Sequence, residues 1–247
     1  MIIRSNRELK ERYDELKAGD CFVGMLAFKH VKRRVFIDLL ERGVRFFPSA
    51  LSQTLAASKV AQALACRPWM APHTLVVAKR VDLMHAINTY SQHGIGPVVT
   101  KADRQDCGFG IHRWDNTEAV YNQASLNTSF YPFVLQPFLE NYTDVRVIIA
   151  GDYCDAYIRQ NQHNFRMNLA VGGTSRPYDL NEGQLAVCHD VMERGKFPYA
   201  HIDLLVTAEG RTYLSEIALN GGMKGARIKR QELDALKKGL LEKMAGL

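Results

Sequence analysis

The chain has 247 residues, 47% of them hydrophobic and 23% charged, with a formal net charge of +6. That is enough apolar residue to fill a core, which sets disorder aside, and no apolar stretch approaches the roughly 18 residues of a membrane span. The cations are spread along the chain and select no partner by themselves, suiting a phosphate-bearing ligand as well as a larger polyanion.

Met1 to Lys17 is charged throughout and has no signal-peptide core. Five scattered cysteines (Cys21, Cys66, Cys107, Cys154, Cys188) form no C-x-x-C pair. Both features lead to reduced thiols and the cytoplasm as the expected compartment. The histidines show no metalloenzyme spacing. No nucleic-acid module is recognisable, and the aromatics are not interleaved with Lys and Arg as a reading surface requires. A basic binder of RNA or another polyanion is therefore the weaker of two rivals considered below.

Cys21 to Phe28 reads as a strand and Val31 to Arg42 as an amphipathic helix ended by Gly43. Val44 to Phe47 is a second short strand closed by Pro48, and the alanine-rich Ser52 to Cys66 reads as one helix. Thr74 to Ala78 is strand-like, Val81 to His93 helical, and Pro97 to Lys101 a strand that runs into the loop Asp103 to Gly110. Thr117 to Asn127 reads as a helix. From Tyr131 the pattern turns to β, with strands at Phe133 to Phe138, Asp144 to Ala150 and Tyr153 to Arg159. Asp179 with Glu182 reads as a capping box for a helix to Arg194. Strands at Ala200 to Thr207 and Arg211 to Ile217 precede a final helix from about Ile228 to Met244. The class is α+β, with antiparallel hairpins in the C-terminal half.

Two hairpin counts place charged side chains. A two-residue turn at Glu209-Gly210 pairs Ala208 with Arg211 and sets Asp203 opposite Glu216 on one face. Like charges so opposed need neutralising, and a divalent cation with oxygen ligands, magnesium, does it. A solvated sheet edge or one protonated member would also do, but the flanking Ile202, Leu204, Leu214 and Ile217 favour the metal. A turn at Gly151-Asp152 sets Asp144 opposite Arg159 and Arg146 opposite Tyr157, a charged floor that on its own reads as a cross-strand salt bridge. The loop Asp103 to Gly110 carries Gly108 and Gly110, whose backbone N–H groups can approach phosphate, but taken alone the loop reads as a surface hairpin.

Taken in order, these pieces resemble the ATP-grasp superfamily, and within it the ribosomal-protein glutamate ligase (RimK) branch, over roughly Lys59 to Gly225. The resemblance implies an ATP-grasp fold with a reduced N-terminal α/β region at 1–70. It also implies a small subdomain with a phosphate flap at 71–135 and a large subdomain with the metal site at 136–247. Lys101 and Lys59 match the two phosphate-holding lysines, and Cys107 to Ile111 the glycine-rich flap. Gln136, Pro137, Phe138 and Leu139 match the linker that hydrogen-bonds adenine, with Leu139 supplying the donor that proline lacks. Asp144 matches the nucleotide-contacting acid, while Arg159, Arg166 and Asn168 match the stretch beside the phosphates. Asp203 and Glu216 match the two metal carboxylates. The family's third ligand is an asparagine where Ala218 stands here, and Asn220 is the available substitute.

The implied chemistry is ATP- and magnesium-dependent ligation of a carboxylate to an amine through an acyl phosphate, with manganese as an alternative metal. Arg159, Arg166 and Arg227 would hold the acyl phosphate or carboxylate. The substrates are a small-molecule or peptide carboxylate and an amine. The pared-down N-terminal region implies that the acceptor is small or is held partly by another chain, a second copy or a partner protein. The other rival is a non-catalytic ATP-grasp-like nucleotide-binding or regulatory protein that lost a ligand at Ala218.

Overall fold

The structure, a computed structural model, describes residues 1–105, 108–127, 130–167, 169 and 172–247. Cys107, expected in the flap, and Asn168, expected beside the phosphates, lie outside the described residues.

Strands β1 (Ile2–Ile3), β2 (Cys21–Val23) and β3 (Arg45–Phe47) form a parallel sheet in that order. Helices α1 (Asn6–Glu11) and α2 (Lys32–Glu41) join them, and the sheet buries Ile3, Leu9, Phe22, Leu39 and Phe46 in a small core of their own. The strand expected over Cys21 to Phe28 stops at Val23, because Gly24 takes a φ of +139° that turns the chain out of the sheet. The single helix expected over Ser52 to Cys66 is two, α3 (Ala50–Leu55) and α4 (Lys59–Ala65). Each is capped by a serine, Ser49 accepting from Ser52 N and Ser58 from Ala61 N. The break makes Lys59 the first residue of α4, where its side chain is buried.

The second sheet holds β4 (Leu75–Val77), β5 (Val98–Ala102), β6 (Ile111–Trp114) and β7 (Phe133–Pro137) in the order β4-β7-β5-β6. Helices α5 (Arg80–Gln92) and α6 (Thr117–Leu126) cover it over Val77, Leu83, Tyr90, Val98, Val120 and Phe133. Strand β7 runs unbroken through position 135/136, so the chain leaves this sheet only after Pro137.

The third sheet is antiparallel, ordered β10-β9-β8-β11-β12. It comprises β8 (Tyr142–Ala150), β9 (Tyr153–Gln160), β10 (Thr174–Pro177), β11 (Tyr199–Thr207) and β12 (Thr212–Ala218). Helices α7 (Glu182–Gly195) and α8 (Arg230–Ala245) pack on it. The cap of α7 is Asn181 with Gln184, which make the reciprocal side-chain bonds, rather than Asp179 with Glu182. One face of the sheet, with Val145, Val147, Ala156, Ile158, Ile202 and Leu204, belongs to the main core. The alternate residues form the floor of a cleft.

The β8–β9 register is the one counted from Gly151-Asp152, with Asp144 opposite Arg159 and Arg146 opposite Tyr157. In β11–β12, Asp203 does face Glu216, but by another route. The turn holds three residues, Ala208 to Gly210, between a Thr207 N to Arg211 O bond of 2.9 Å, with Gly210 at φ +81°. That shifts the pairing by one residue, to Leu204 with Leu214. A β-bulge at Ser215 then restores it, so that Asp203 meets Glu216.

Candidate nucleotide and metal site

A cleft of about 890 Å³ is lined from both the four-stranded and the five-stranded sheet. Gln136, Pro137, Phe138 and Leu139 form one wall. Gln136 gives one of its two amide protons to Thr74 Oγ1 (2.8 Å), and the Phe138 N–H donates to Pro97 O (2.8 Å), so the Phe138 N–H is not a free donor for a ligand. Phe138 stacks edge-on with Phe165 at 6.1 Å, and Met167 joins them in an apolar slot of the kind that takes a planar ring.

The floor is a network of charges. Arg146 grips Asp203 with two parallel bonds, Nε to Oδ1 at 2.7 Å and Nη2 to Oδ2 at 2.8 Å. Arg159 Nη2 lies 2.6 Å from Asp144 Oδ1 and 2.9 Å from Asp203 Oδ2. Burial works to raise the Asp203 carboxyl, but the Arg146 and Arg159 guanidiniums together hold it well below the usual carboxylate range. Asp144 goes the other way: burial, together with the nearby Asp203 charge, outweighs Arg159 and raises it to about 6. Lys59 Nζ bonds Glu216 Oε1 (3.1 Å) and the Gln105 carbonyl in the flap (2.7 Å). Lys101 Nζ bonds the carbonyl (3.1 Å) and hydroxyl (3.2 Å) of Ser215, the residue that the bulge turns into the cleft. Burial lowers the Lys101 ammonium to about 8, against the pull of Glu216.

The repulsion between Asp203 and Glu216 is thus relieved by three cations of the chain itself, a solution that the residue pattern did not suggest. Magnesium still fits. A carboxylate has about four lone-pair sites; Asp203 Oδ1 uses one, and Glu216 Oε2 has no hydrogen-bond partner among the described residues. Both are oxygen donors on one face in register, as the ion prefers.

Asn220 is placed differently. Lys237 of α8, buried, points its ammonium at three acceptors: Leu219 O (2.9 Å), Asn220 Oδ1 (3.1 Å) and His201 Nε2 (3.3 Å). An ammonium has three protons and no lone pair, so the Asn220 oxygen faces Lys237, and its NH₂ is the part left for the cleft. The oxygen that a metal would need already accepts from a cation, which opposes a second positive charge there. Ala218 lines the cleft without a donor atom.

Of the remaining expected residues, Arg166 lines the cleft and spends its guanidinium on flap carbonyls, Gly108 O at 3.2 Å and Ile111 O at 2.9 Å. Gly108 is at the cleft, while Gly110 packs behind the flap, where a Cβ would come within 2.9 Å of Ala102 Cβ. Arg227 does not line the cleft; its Nε bonds the buried Asp155 at 2.7 Å and anchors the loop before α8. Arg146, Ser215 and His201 line the cleft, with Lys237 behind them on His201 and Asn220, and the motifs missed all four.

Residues 56–240 match a family model described as the RimK-like ATP-grasp domain. Among curated proteins the chain is similar to coenzyme gamma-F420-2:alpha-L-glutamate ligase of Methanococcus maripaludis, 25% identical over 162 residues, 63% of this chain and 55% of that protein. The chain therefore spans about half the length of this relative. Among solved structures it is similar to D-cycloserine synthetase DcsG, with a TM-score of 0.65, 15% identity, and 91% of this chain and 84% of that one covered. It is also similar to D-alanine–D-alanine ligase from Bacillus anthracis, with a TM-score of 0.63, 14% identity, and 98% and 84% covered. A third is macrocyclase MdnC of Microcystis aeruginosa, bound with precursor peptide MdnA, with a TM-score of 0.57, 15% identity, and 92% and 78% covered. At these identities the solved structures bear on the fold alone.

Proposed function

We propose, on the premise that the chain belongs to the RimK-like ATP-grasp family, that it uses ATP and magnesium to join a carboxylate to an amine. The observation that carries this is the convergence on one cleft floor of Lys101, Lys59 and Arg159 with the facing pair Asp203 and Glu216. The family's enzymes are carboxylate–amine ligases, so what is proposed here is this chain's own competence and mechanism.

In that reading the slot of Phe138, Leu139 and Phe165 holds adenine, and Lys101 and Lys59 turn from Ser215 and Glu216 to the phosphates. Asp203 and Glu216 would hold magnesium, which would supply positive charge against the negative charge that develops in transfer. A carboxylate oxygen of the substrate attacks the γ-phosphorus as its bond to the β-bridging oxygen breaks, giving an acyl phosphate and ADP. The amine then attacks the acyl carbon, phosphate leaves with the bonding pair, and the nitrogen gives up a proton. Arg159, fixed by two carboxylates, is the group placed to steady the phosphoryl oxygens. The flap held by Arg166 and Lys59 would keep water from the acyl phosphate. The reaction belongs in the cytoplasm, where ATP is supplied. Its substrates would be a small-molecule or peptide carboxylate and an amine.

The test is ADP release by the full chain with magnesium and ATP, across a panel of carboxylates and amines. Release that requires both an acid and an amine is the expected result. ATP binding with no release from any pair would favour the non-catalytic relative, for which Ala218 is the supporting observation. Salt-sensitive binding of nucleic acid with no ATP binding would sink both.

A further inference from the structure

Lys237 sits inside α8, buried, and the reaction above gives it no part. Among the described residues its ammonium makes no ion pair. Its protons go to Leu219 O (2.9 Å), Asn220 Oδ1 (3.1 Å) and His201 Nε2 (3.3 Å), and all three partners line the cleft. Burying an ammonium on neutral partners is costly, which a role in packing alone does not explain.

His201 has a definite place on the cleft floor. Along β8 the floor runs from Tyr142, bonded to Phe165 O of the apolar slot (3.2 Å), through Asp144 and Arg146. Strand β11 sets Leu205, Asp203 and His201 across from Asp144, Arg146 and Ile148. His201 is therefore one step past Asp203 on the side away from the slot, and it faces Ala218 on β12. Small residues adjoin the ring there: Ala218, and Gly221, where a Cβ would come within 2.9 Å of Nδ1. With adenine in the slot and the phosphates at Asp203 and Glu216, the group that takes the phosphoryl falls next in line, at His201.

The ammonium also fixes the tautomer. It has only protons to give, so Nε2 must be the bare nitrogen and the imidazole proton sits on Nδ1. Burial lowers Lys237 to about 8, so it stays an ammonium at neutral pH. Burial, together with that ammonium, holds His201 down at about 3, so the ring stays neutral. His201 is 2% exposed, and its Nδ1 has no hydrogen-bond partner among the described residues. A buried donor is rarely left in that condition.

Resting on the ligase reading, we propose that Lys237 is a positioning residue that makes His201 a donor, through Nδ1–H, to an oxygen of the carboxyl group being activated. His201 then touches substrate, and Lys237 acts only through it. The same tautomer bars His201 from standing in for the metal oxygen that Ala218 lacks, since a protonated Nδ1 has no lone pair to give.

The test labels histidine with ¹⁵N in the full chain and reads by NMR, at pH 6.5, which ring nitrogen carries the proton. The His201 signals are those lost in His201→Gln. Wild type should show Nδ1–H, and Lys237→Met should admit Nε2–H as well. Nε2–H in wild type, or Nδ1–H alone in both, overturns the proposal. With the acid that supports ADP release in the panel above, His201→Gln should raise the KM for that acid about tenfold or more, while the KM for ATP stays within about twofold. Lys237→Met should follow it. His201→Asn, whose NH₂ falls near the place of Nδ1, should stay within about threefold of wild type. An unchanged KM for the acid in His201→Gln, or equal losses in the Asn and Gln variants, overturns the contact. The wild-type spectrum and these two variants decide the matter even where Lys237→Met does not fold. If the tautomer is as stated and no acid supports release, the ligase reading fails, and the oxygen assigned to Nδ1–H goes with it. If release is normal and the tautomer is the other one, the ligase reading stands and this proposal falls.

Discussion

Replacing Arg146 with methionine removes two of the three guanidinium contacts to Asp203 and leaves Arg159 Nη2 at 2.9 Å as the only one. The Arg146 and Asp203 side chains are 18% and 10% exposed, so the pair sits largely out of water. Breaking such a pair from one side costs about 3–5 kcal/mol, because the partner stays charged and buried. The surviving Arg159 contact puts Arg146→Met at the low end, about 3 kcal/mol. In an Asp203→Asn background no charge is stranded, and the same replacement should cost only about 1 kcal/mol, for packing and the weaker bond to Gly222 O. The coupling, about 2 kcal/mol, is read from a double-mutant cycle by urea denaturation at pH 7 without nucleotide or metal. Asp203→Asn alone should destabilise, the opposite of what relief of repulsion from Glu216 would give. A cost below about 1 kcal/mol in both backgrounds would refute the reasoning, since the pair would then behave like a solvated surface bridge.

Lys101→Ala should weaken ATP at least about tenfold more than adenosine by calorimetry, and an equal loss for both would remove its phosphate role. Lys101 has a folded value of about 8 against 10.5 unperturbed, so its charged form costs stability at neutral pH and that cost fades as pH rises from 8 to 10.5. The ammonium that phosphate needs is lost over the same rise; ATP affinity should therefore fall above pH 8 and stay level in Lys101→Arg, and a flat wild-type profile would count against this. Arg166→Ala should raise amide exchange in the flap about tenfold by freeing the Gly108 and Ile111 carbonyls, and unchanged exchange would mean that the hairpin holds itself. Glu216→Gln should raise the magnesium concentration for half-maximal nucleotide binding at least about tenfold, whereas Asn220→Ala should leave it within about twofold; the reverse order would put Asn220 on the metal.

Local signals carried much of this molecule. The turn glycines, the alternation on β8 and β9 and the order of the motifs gave the sheets, the charged floor and the family, because each depends on residues close in sequence. Four features were out of reach for the opposite reason. The grip of Arg146 on Asp203 depends on the pairing of β8 with β11, strands more than fifty positions apart that no turn joins. Ser215 enters the cleft through a bulge, and nothing in Leu214-Ser215-Glu216 announces it. The Asp203–Glu216 pairing counted from a two-residue turn was right only because the longer turn and the bulge offset each other. Lys237 reads as one more cation on an amphipathic helix; its burial follows from where α8 packs. The break at Ser58 was the legible omission, since serine before a helical run is a cap signal that the alanines around it obscured.

Arg159 touches Asp203 through Nη2 and Asp144 through both Nη2 and Nε, and under the proposed function that would make two binding events interdependent. A ligand that draws Asp144 away loosens the guanidinium's hold there and leaves it closer to Asp203, which then competes less well for a metal. A metal that took charge from Asp203 would release Arg159 toward Asp144 and change how that acid meets a nucleotide. Thermodynamic linkage makes the two effects equal: whatever factor one occupant imposes on the other's affinity is returned. Affinities for nucleotide and for metal would therefore be joint properties of the pair, each with a value only at a stated concentration of the other.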